Sequence, residues 1–138
     1  MIWDAAVDRQ EFEKIANRLI AKYFKHLSYC TIEGKPVFMI YDLANLLWGL
    51  GGVEETKDAL EWFRKKAVQA GLPGLHVQLI LGKVRLFNLS GVDDNRTATT
   101  NEIVSLLGFD SLSHYQYIHF VDIDREWERI DQTYNIPY

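Results

Sequence analysis

The chain has 138 residues, is 48% hydrophobic and 25% charged, and carries a formal net charge of −4, the make-up of one globular domain. Mild acidity leaves no basic stripe to displace counterions, so nucleic acid is not an expected partner. The single cysteine, Cys30, excludes an internal disulfide and a cysteine-based zinc site, and there is neither an apolar run of about 18 residues nor a basic-then-apolar leader to mark a membrane span or signal peptide.

The first element is "DRQEFEKIANRLIAKYFKHL". Phe12, Ile15, Ala16, Leu19, Ile20, Tyr23, Phe24 and Leu27 recur at three- and four-residue spacing, which predicts a helix with one apolar stripe. Asp8 and Glu11 fit a capping box at its start. After the turn "EGK", the run "PVFMIY" is apolar up to Tyr41 and suits a strand covered on both faces. "LANLLWGLGG" reads as a short helix closed by glycines, with Asp42 placed to accept from its first free N–H groups. "VEETKDALEWFRKKAVQAG" sets Ala59, Leu60, Phe63 and Ala67 on one side, with Gly71 as the cap and Pro73 just beyond.

"LHVQLIL" is the second strand, and a loop of about fifteen residues, "GKVRLFNLSGVDDNR", leads on to "TATTNEIVSLLG". There Thr99 and Glu102 offer a second capping box and Gly108 a stop. "FDSLSHY" reads as a third strand and "DREWERIDQTY" as a last helix. Helices alternating with strands predict parallel strands joined by right-handed crossovers. No strand precedes the first helix, and "NIPY" follows the last. A complete eight-unit barrel takes about 250 residues. The pattern therefore fits either a small open flavodoxin-like α/β sheet or a segment of a barrel.

Four stretches in order, "KYFKHLSY" at 22 to 29, "GKPVFMIY" at 34 to 41, "KKAVQAGLPGLH" at 65 to 76 and "LGFDSLSHY" at 107 to 115, resemble the middle of the WbsX-like domain. That family groups glycosyltransferase-like domains and is related to glycoside hydrolase family 99, the endo-α-mannosidase-like enzymes. The resemblance implies an α/β fold of parallel β/α units, a partial (β/α)8 (TIM) barrel acting on oligo- or polysaccharides, of which residues 1 to 138 form one domain-sized fragment. The family's acid and base sit in a Trp-Asn-Glu-Trp-type motif that this sequence does not contain. "REWERI" does not replace it, because Glu126 and Glu128 are two apart and lack the preceding Trp-Asn. No catalytic residue is carried over, and the chain alone is expected to be inactive.

Ligands of such a barrel meet the C-terminal ends of the strands. Within "LHVQLIL", Leu75, Val77, Leu79 and Leu81 form the helix-facing set, turning His76 and Gln78 toward the barrel axis. In "FDSLSHY", Leu112 belongs to the outward set, leaving Ser111, Ser113 and Tyr115 inward. The expected substrate contacts are Tyr41, Asp42, Gln78 and Tyr115, rings and polar tips that suit sugars. Each has a plainer role beside it: Tyr41 a packed strand end, Asp42 a helix cap, Gln78 a satisfied interior amide. His76, low on its strand, reads as structural, and Trp48 and Trp127 as packing residues. The arginines and lysines of 9 to 18 and 57 to 66 read as solvated helix faces.

No cofactor or metal is expected. His114 and His119 are spaced for neither helix face nor strand alternation. The alternative functions are a non-catalytic carbohydrate-binding or interaction module, and a metal-dependent nucleotide-sugar glycosyltransferase. The latter would use Asp122 and Asp124 of "IHFVDID" to hold Mg²⁺ or Mn²⁺, although the same pair also suits the start of a helix. A barrel segment leaves sheet edges and strand faces open, and self-association is one way to cover them.

Overall fold

In the computed structural model, the described residues are 7–81, 87–88, 97–98 and 100–114. Tyr115, His119, Asp122, Asp124, Trp127, the last helix and the Thr99 cap lie outside them.

Helix α1 (Arg9–Lys22) starts where expected: the Asp8 carboxylate accepts the Glu11 N–H at 2.8 Å, satisfying one of the orphan donors of a first turn. Glu11 does not return the bond; it holds Lys14 at 2.6 Å, so only half of the capping box forms. The buried stripe is also narrower than its periodicity predicted. Phe12, Ala16, Ile20 and Phe24 are buried along one four-residue ridge, while Ile15 and Tyr23 are exposed and Leu27 is wholly so. The helix closes at Lys22 and Tyr23 is its C-cap, which leaves Leu27 in the turn that follows, with no helical face to share.

Strand β1 (Thr31–Ile32) pairs antiparallel with β2 (Lys35–Ile40), Ile32 opposite Lys35. The two residues between them, Glu33 and Gly34, have φ of 51° and 76°, the double left-handed geometry of a type I′ hairpin. Helix α2 (Leu43–Leu50) ends on Gly51, whose φ of 103° and bond to the Leu47 carbonyl make the glycine stop. Its Gly49 is a close-approach position: a Cβ there would stand 2.5 Å from the Val7 carbonyl oxygen. Helix α3 (Val53–Gln69) buries Ala59, Leu60, Phe63 and Ala67 completely, the side the sequence marked. Phe63 is the hub, with ring centroids of Phe12, Phe24 and Phe38 at 5.8, 5.9 and 5.2 Å.

Strand β3 (His76–Leu81) follows. The stretch expected to be a loop contains β4 (Phe87–Asn88), which pairs antiparallel with β5 (Thr97–Ala98) in a sheet of its own. Helix α4 (Thr100–Leu107) and β6 (Ser111–His114) complete the described chain. The main sheet has the order β1-β2-β3-β6 and curls into a half-barrel. Strands β2, β3 and β6 run parallel, and each crossover carries helix, as the alternation predicted.

All four helices contribute to a single core. Phe12, Leu43, Phe63 and Ile103 meet Ile40, Val77 and Leu79 of the sheet there. Sheet residues 38, 40, 77 and 79 thus face the helices. The strand β2 was expected to be covered on both faces; instead Met39, which points the other way, is 58% exposed. Among the described residues, every helix packs on one side of the sheet.

Candidate functional site

The parallel register decides which side chains share the other face, because paired residues of neighbouring strands point the same way. Met39 pairs with Gln78, and Gln78 with Ser111, so a thioether, an amide and a hydroxyl form one row across three strands, about 10 Å from first to last. Below that row lie Val37 and His76, which pair with each other. Above it lie Ile80 and Ser113. Tyr41 follows the last residue of β2 and is 63% exposed; the register, carried one step, sets it level with Ile80, at the C-terminal end of the strand.

Asp42 is the N-cap of α2. Its Oδ1 accepts the Asn45 backbone N–H at 3.0 Å and its Oδ2 accepts from Asn45 Nδ2 at 2.8 Å. Asp42 therefore fixes the helix that leaves the rim, and its carboxylate keeps lone pairs for a further donor. Gln78 stands on the helix-free face, partly exposed, between Met39 and Ser111. Tyr115, the fourth expected contact, lies outside the described residues, so the three-strand rim of Tyr41, Gln78 and Tyr115 is described at its first two members. Asp122 and Asp124 lie outside as well. His76 has a partner: its Nε2 stands 2.7 Å from Ser111 Oγ, tying β3 to β6 low on this face, where a structural role was expected.

Trp48 was expected to pack, and it does not: it is 68% exposed. The reason is the phase of α2, which turns Leu43, Leu47 and Leu50 inward and so turns position 48 out. Two arginines read as solvated are in fact cross-element ties. Arg9 binds Glu13 at 2.7 Å and Asp58 of α3 at 2.6 Å, and these partners, Glu13 first, hold its guanidinium above its ordinary pKa. Arg64 donates to the Gly108 carbonyl and stands 3.3 Å from Asp110, whose Oδ2 also accepts the Val77 N–H. Helix spacing could place these arginines on a face but carried no signal of the distant carboxylates. A depression of about 360 Å³ lined by Arg9, Leu50, Glu54, Glu55 and Asp58 lies at the α1–α3 junction, on the helix layer and away from the row.

Among the described residues no three His, Cys, Asp or Glu side chains gather as metal ligands, and no helix is long and apolar enough to cross a membrane. No family model, curated protein or solved structure matches the chain. Its class is the one its own geometry defines: a mixed α/β protein whose described parallel β/α units carry helices on one face only.

Proposed function

We propose that the helix-free face of the sheet is one wall of a glycan-binding cleft. On this reading the chain is a β/α segment of a (β/α)8 barrel from a carbohydrate-active enzyme similar to the WbsX-like and family 99-like domains, with its acid–base carboxylates outside this chain. The observation that carries the proposal is the row Met39, Gln78, Ser111. Parallel sheets are ordinarily covered on both faces, and strands covered by helices on both sides carry near-continuous Val, Ile and Leu. Here the second face offers Met39, Gln78, Ser111, Ser113 and His76 beside the apolar Val37 and Ile80, with Tyr41 at its rim. That chemistry suits a barrel interior or a ligand better than the helices of a flavodoxin-like sheet.

From the level of Val37 and His76 upward none of those side chains is a carboxylate or an ammonium or guanidinium cation; Lys35, on the same face, lies below them at the start of β2. Amide and hydroxyl groups beside a thioether and a phenol favour an uncharged polyol, with hydroxyls to pair and C–H faces to pack. Hydrolysis of a glycosidic bond needs two carboxyl groups flanking the scissile bond, and this row contains none. The chain is then a binding surface without turnover.

Calorimetry with uncharged oligosaccharides tests the proposal on the wild type, Gln78→Leu and Tyr41→Phe. Loss of a hydrogen bond to the ligand should weaken binding by about tenfold in each variant. Unchanged affinity in both would remove the face from the binding site. Turnover of an aryl mannoside by the purified chain would place the catalytic carboxylates within it and overturn that part of the proposal.

A further inference from the structure

At the low end of the helix-free face, His76 and Ser111 meet as a base meets an oxygen nucleophile. His76 Nε2 stands 2.7 Å from Ser111 Oγ, within the span of about 2.6–3.2 Å at which an imidazole takes a hydroxyl proton. With the ring proton on Nδ1, Nε2 is the acceptor and the hydroxyl the donor. Both residues are half-buried, so neither is closed off inside the core. Among the described residues Ser111 Oγ has no second hydrogen-bond partner, which leaves a lone pair for an incoming carbon.

The strands fix this pair through the residues between them. Val77 is bonded to Asp110 in both directions: its N–H donates to Asp110 Oδ2 at 2.8 Å, and its carbonyl accepts the Asp110 N–H at 2.9 Å. Arg64 braces the same loop, donating to the Gly108 carbonyl and standing 3.3 Å from Asp110 Oδ2. His76 and Gln78 flank Val77, and Ser111 follows Asp110, so one clamp holds all three backbones. Gln78 pairs with Ser111, which sets the two residues one strand spacing apart, about 4.8 Å. Among the described residues the Gln78 amide has no hydrogen-bond partner, so its N–H groups are free to meet a developing oxyanion. No described carboxylate bonds to His76, and the pair is a dyad held by its strands.

We propose that His76 and Ser111 are the catalytic dyad of a carboxylic-ester hydrolase site, with Gln78 as the oxyanion donor. The site goes beyond the glycan reading and does not rest on it. Cleavage of a glycosidic bond needs two carboxyl groups, whereas acyl transfer needs a nucleophile, a base and a donor to the oxyanion. This face lacks the first set and holds the second. Ser111 Oγ attacks the ester carbonyl carbon as His76 Nε2 takes its proton, and the carbonyl oxygen gains charge beside Gln78. The bond from that carbon to the alcohol oxygen then breaks, and the alcohol leaves with the proton from Nε2. Water repeats the sequence on the acyl-serine: Nε2 takes one of its protons, its oxygen bonds the carbonyl carbon, and the acid departs as Ser111 regains a proton. The substrate class is an uncharged ester, because the described side chains of this face carry no fixed charge from the level of His76 upward.

Two probes test the dyad on the whole chain, diisopropyl fluorophosphate and p-nitrophenyl acetate. Intact mass should rise by one diisopropylphosphoryl group as Ser111 Oγ bonds phosphorus and fluoride leaves, and peptide mapping should place that group on Ser111. Ser111→Ala should abolish both the labelling and the release of p-nitrophenol. His76→Ala should slow both about a hundredfold or more, and added imidazole should restore part of the loss, a rescue that a merely structural tie between strands would not show. His76→Gln keeps a polar side chain between the strands but supplies no base, so it should be as slow as His76→Ala while keeping the wild-type fold by circular dichroism. An unlabelled Ser111, or equal rates in the wild type and His76→Gln, overturns the dyad. Binding of an uncharged hexaose by a chain that is never labelled refutes the ester site and leaves the glycan wall standing.

Discussion

The one-sided sheet makes a sharp prediction about two residues in adjacent strands. Val77 faces the helices and is fully buried, whereas Met39 faces away and is 58% exposed. Val77→Ala removes two buried methylene equivalents, about 1.6 kcal/mol of transfer free energy, and a cavity contribution brings the cost to about 2–3 kcal/mol. Full burial of a methionine contributes about 1.5–3 kcal/mol. With over half of Met39 in solvent, Met39→Ser should cost roughly 1 kcal/mol or less. Urea unfolding checks this directly: the midpoint should fall far more for Val77→Ala than for Met39→Ser, at constant slope. Equal losses at the two positions would mean that the second face is packed as tightly as the first, and the open-face reasoning would fail.

Other consequences are local. Asp42→Ala should cost about 1 kcal/mol through loss of the α2 cap, and Asp42→Asn should restore most of it; thermal melts of the three proteins separate cap from charge. Glu33 holds a left-handed φ of 51° in the hairpin, so Glu33→Asn should stabilise by about 0.5–1 kcal/mol, and a lower urea midpoint would count against the type I′ assignment. Tyr29 donates its hydroxyl to the Val37 carbonyl at 2.9 Å, and burial, then neighbouring Cys30, raises its pKa above the ordinary 10.0. The folded state therefore holds the phenol proton more tightly than the unfolded chain. The stability this contributes is full below about pH 10 and is lost as pH rises through the folded value. Tyr29→Phe should be less stable at pH 8, through the lost hydrogen bond, yet decline less steeply in alkaline denaturation series.

Elements whose information is local were legible in the sequence. The glycine stops at Gly51 and Gly108 and the caps at Asp8 and Asp42 depend on a few adjacent residues, and all appear where the sequence placed them. The alternation in "LHVQLIL" likewise sorted Val77 and Leu79 from His76 and Gln78. What escaped was set by distance. The apolar run of β2 could not show that one face would lack helices, because both of its alternating sets are hydrophobic. The β4–β5 ribbon joins two residues to two others nine and eleven positions on, too short a pairing to leave a period. Trp48 illustrates the same limit from the other side. Tryptophan is usually interior, but three leucines at the inward phase of α2 left it no room there. Arg9 and Arg64 found their carboxylates 49 and 46 residues away, a separation that no helical spacing encodes.

The central claim is that the face bearing Met39, Gln78 and Ser111 takes up a glycan. The chain has two methionines, so ¹³C-methyl labelling gives two signals, and Met39→Leu assigns them. Titration with uncharged hexaoses should shift the Met39 methyl, saturably and with the affinity found by calorimetry, and leave Met1 in place. A Met39 signal that stays fixed while binding is measured calorimetrically would put the ligand elsewhere on the protein and contradict the claim.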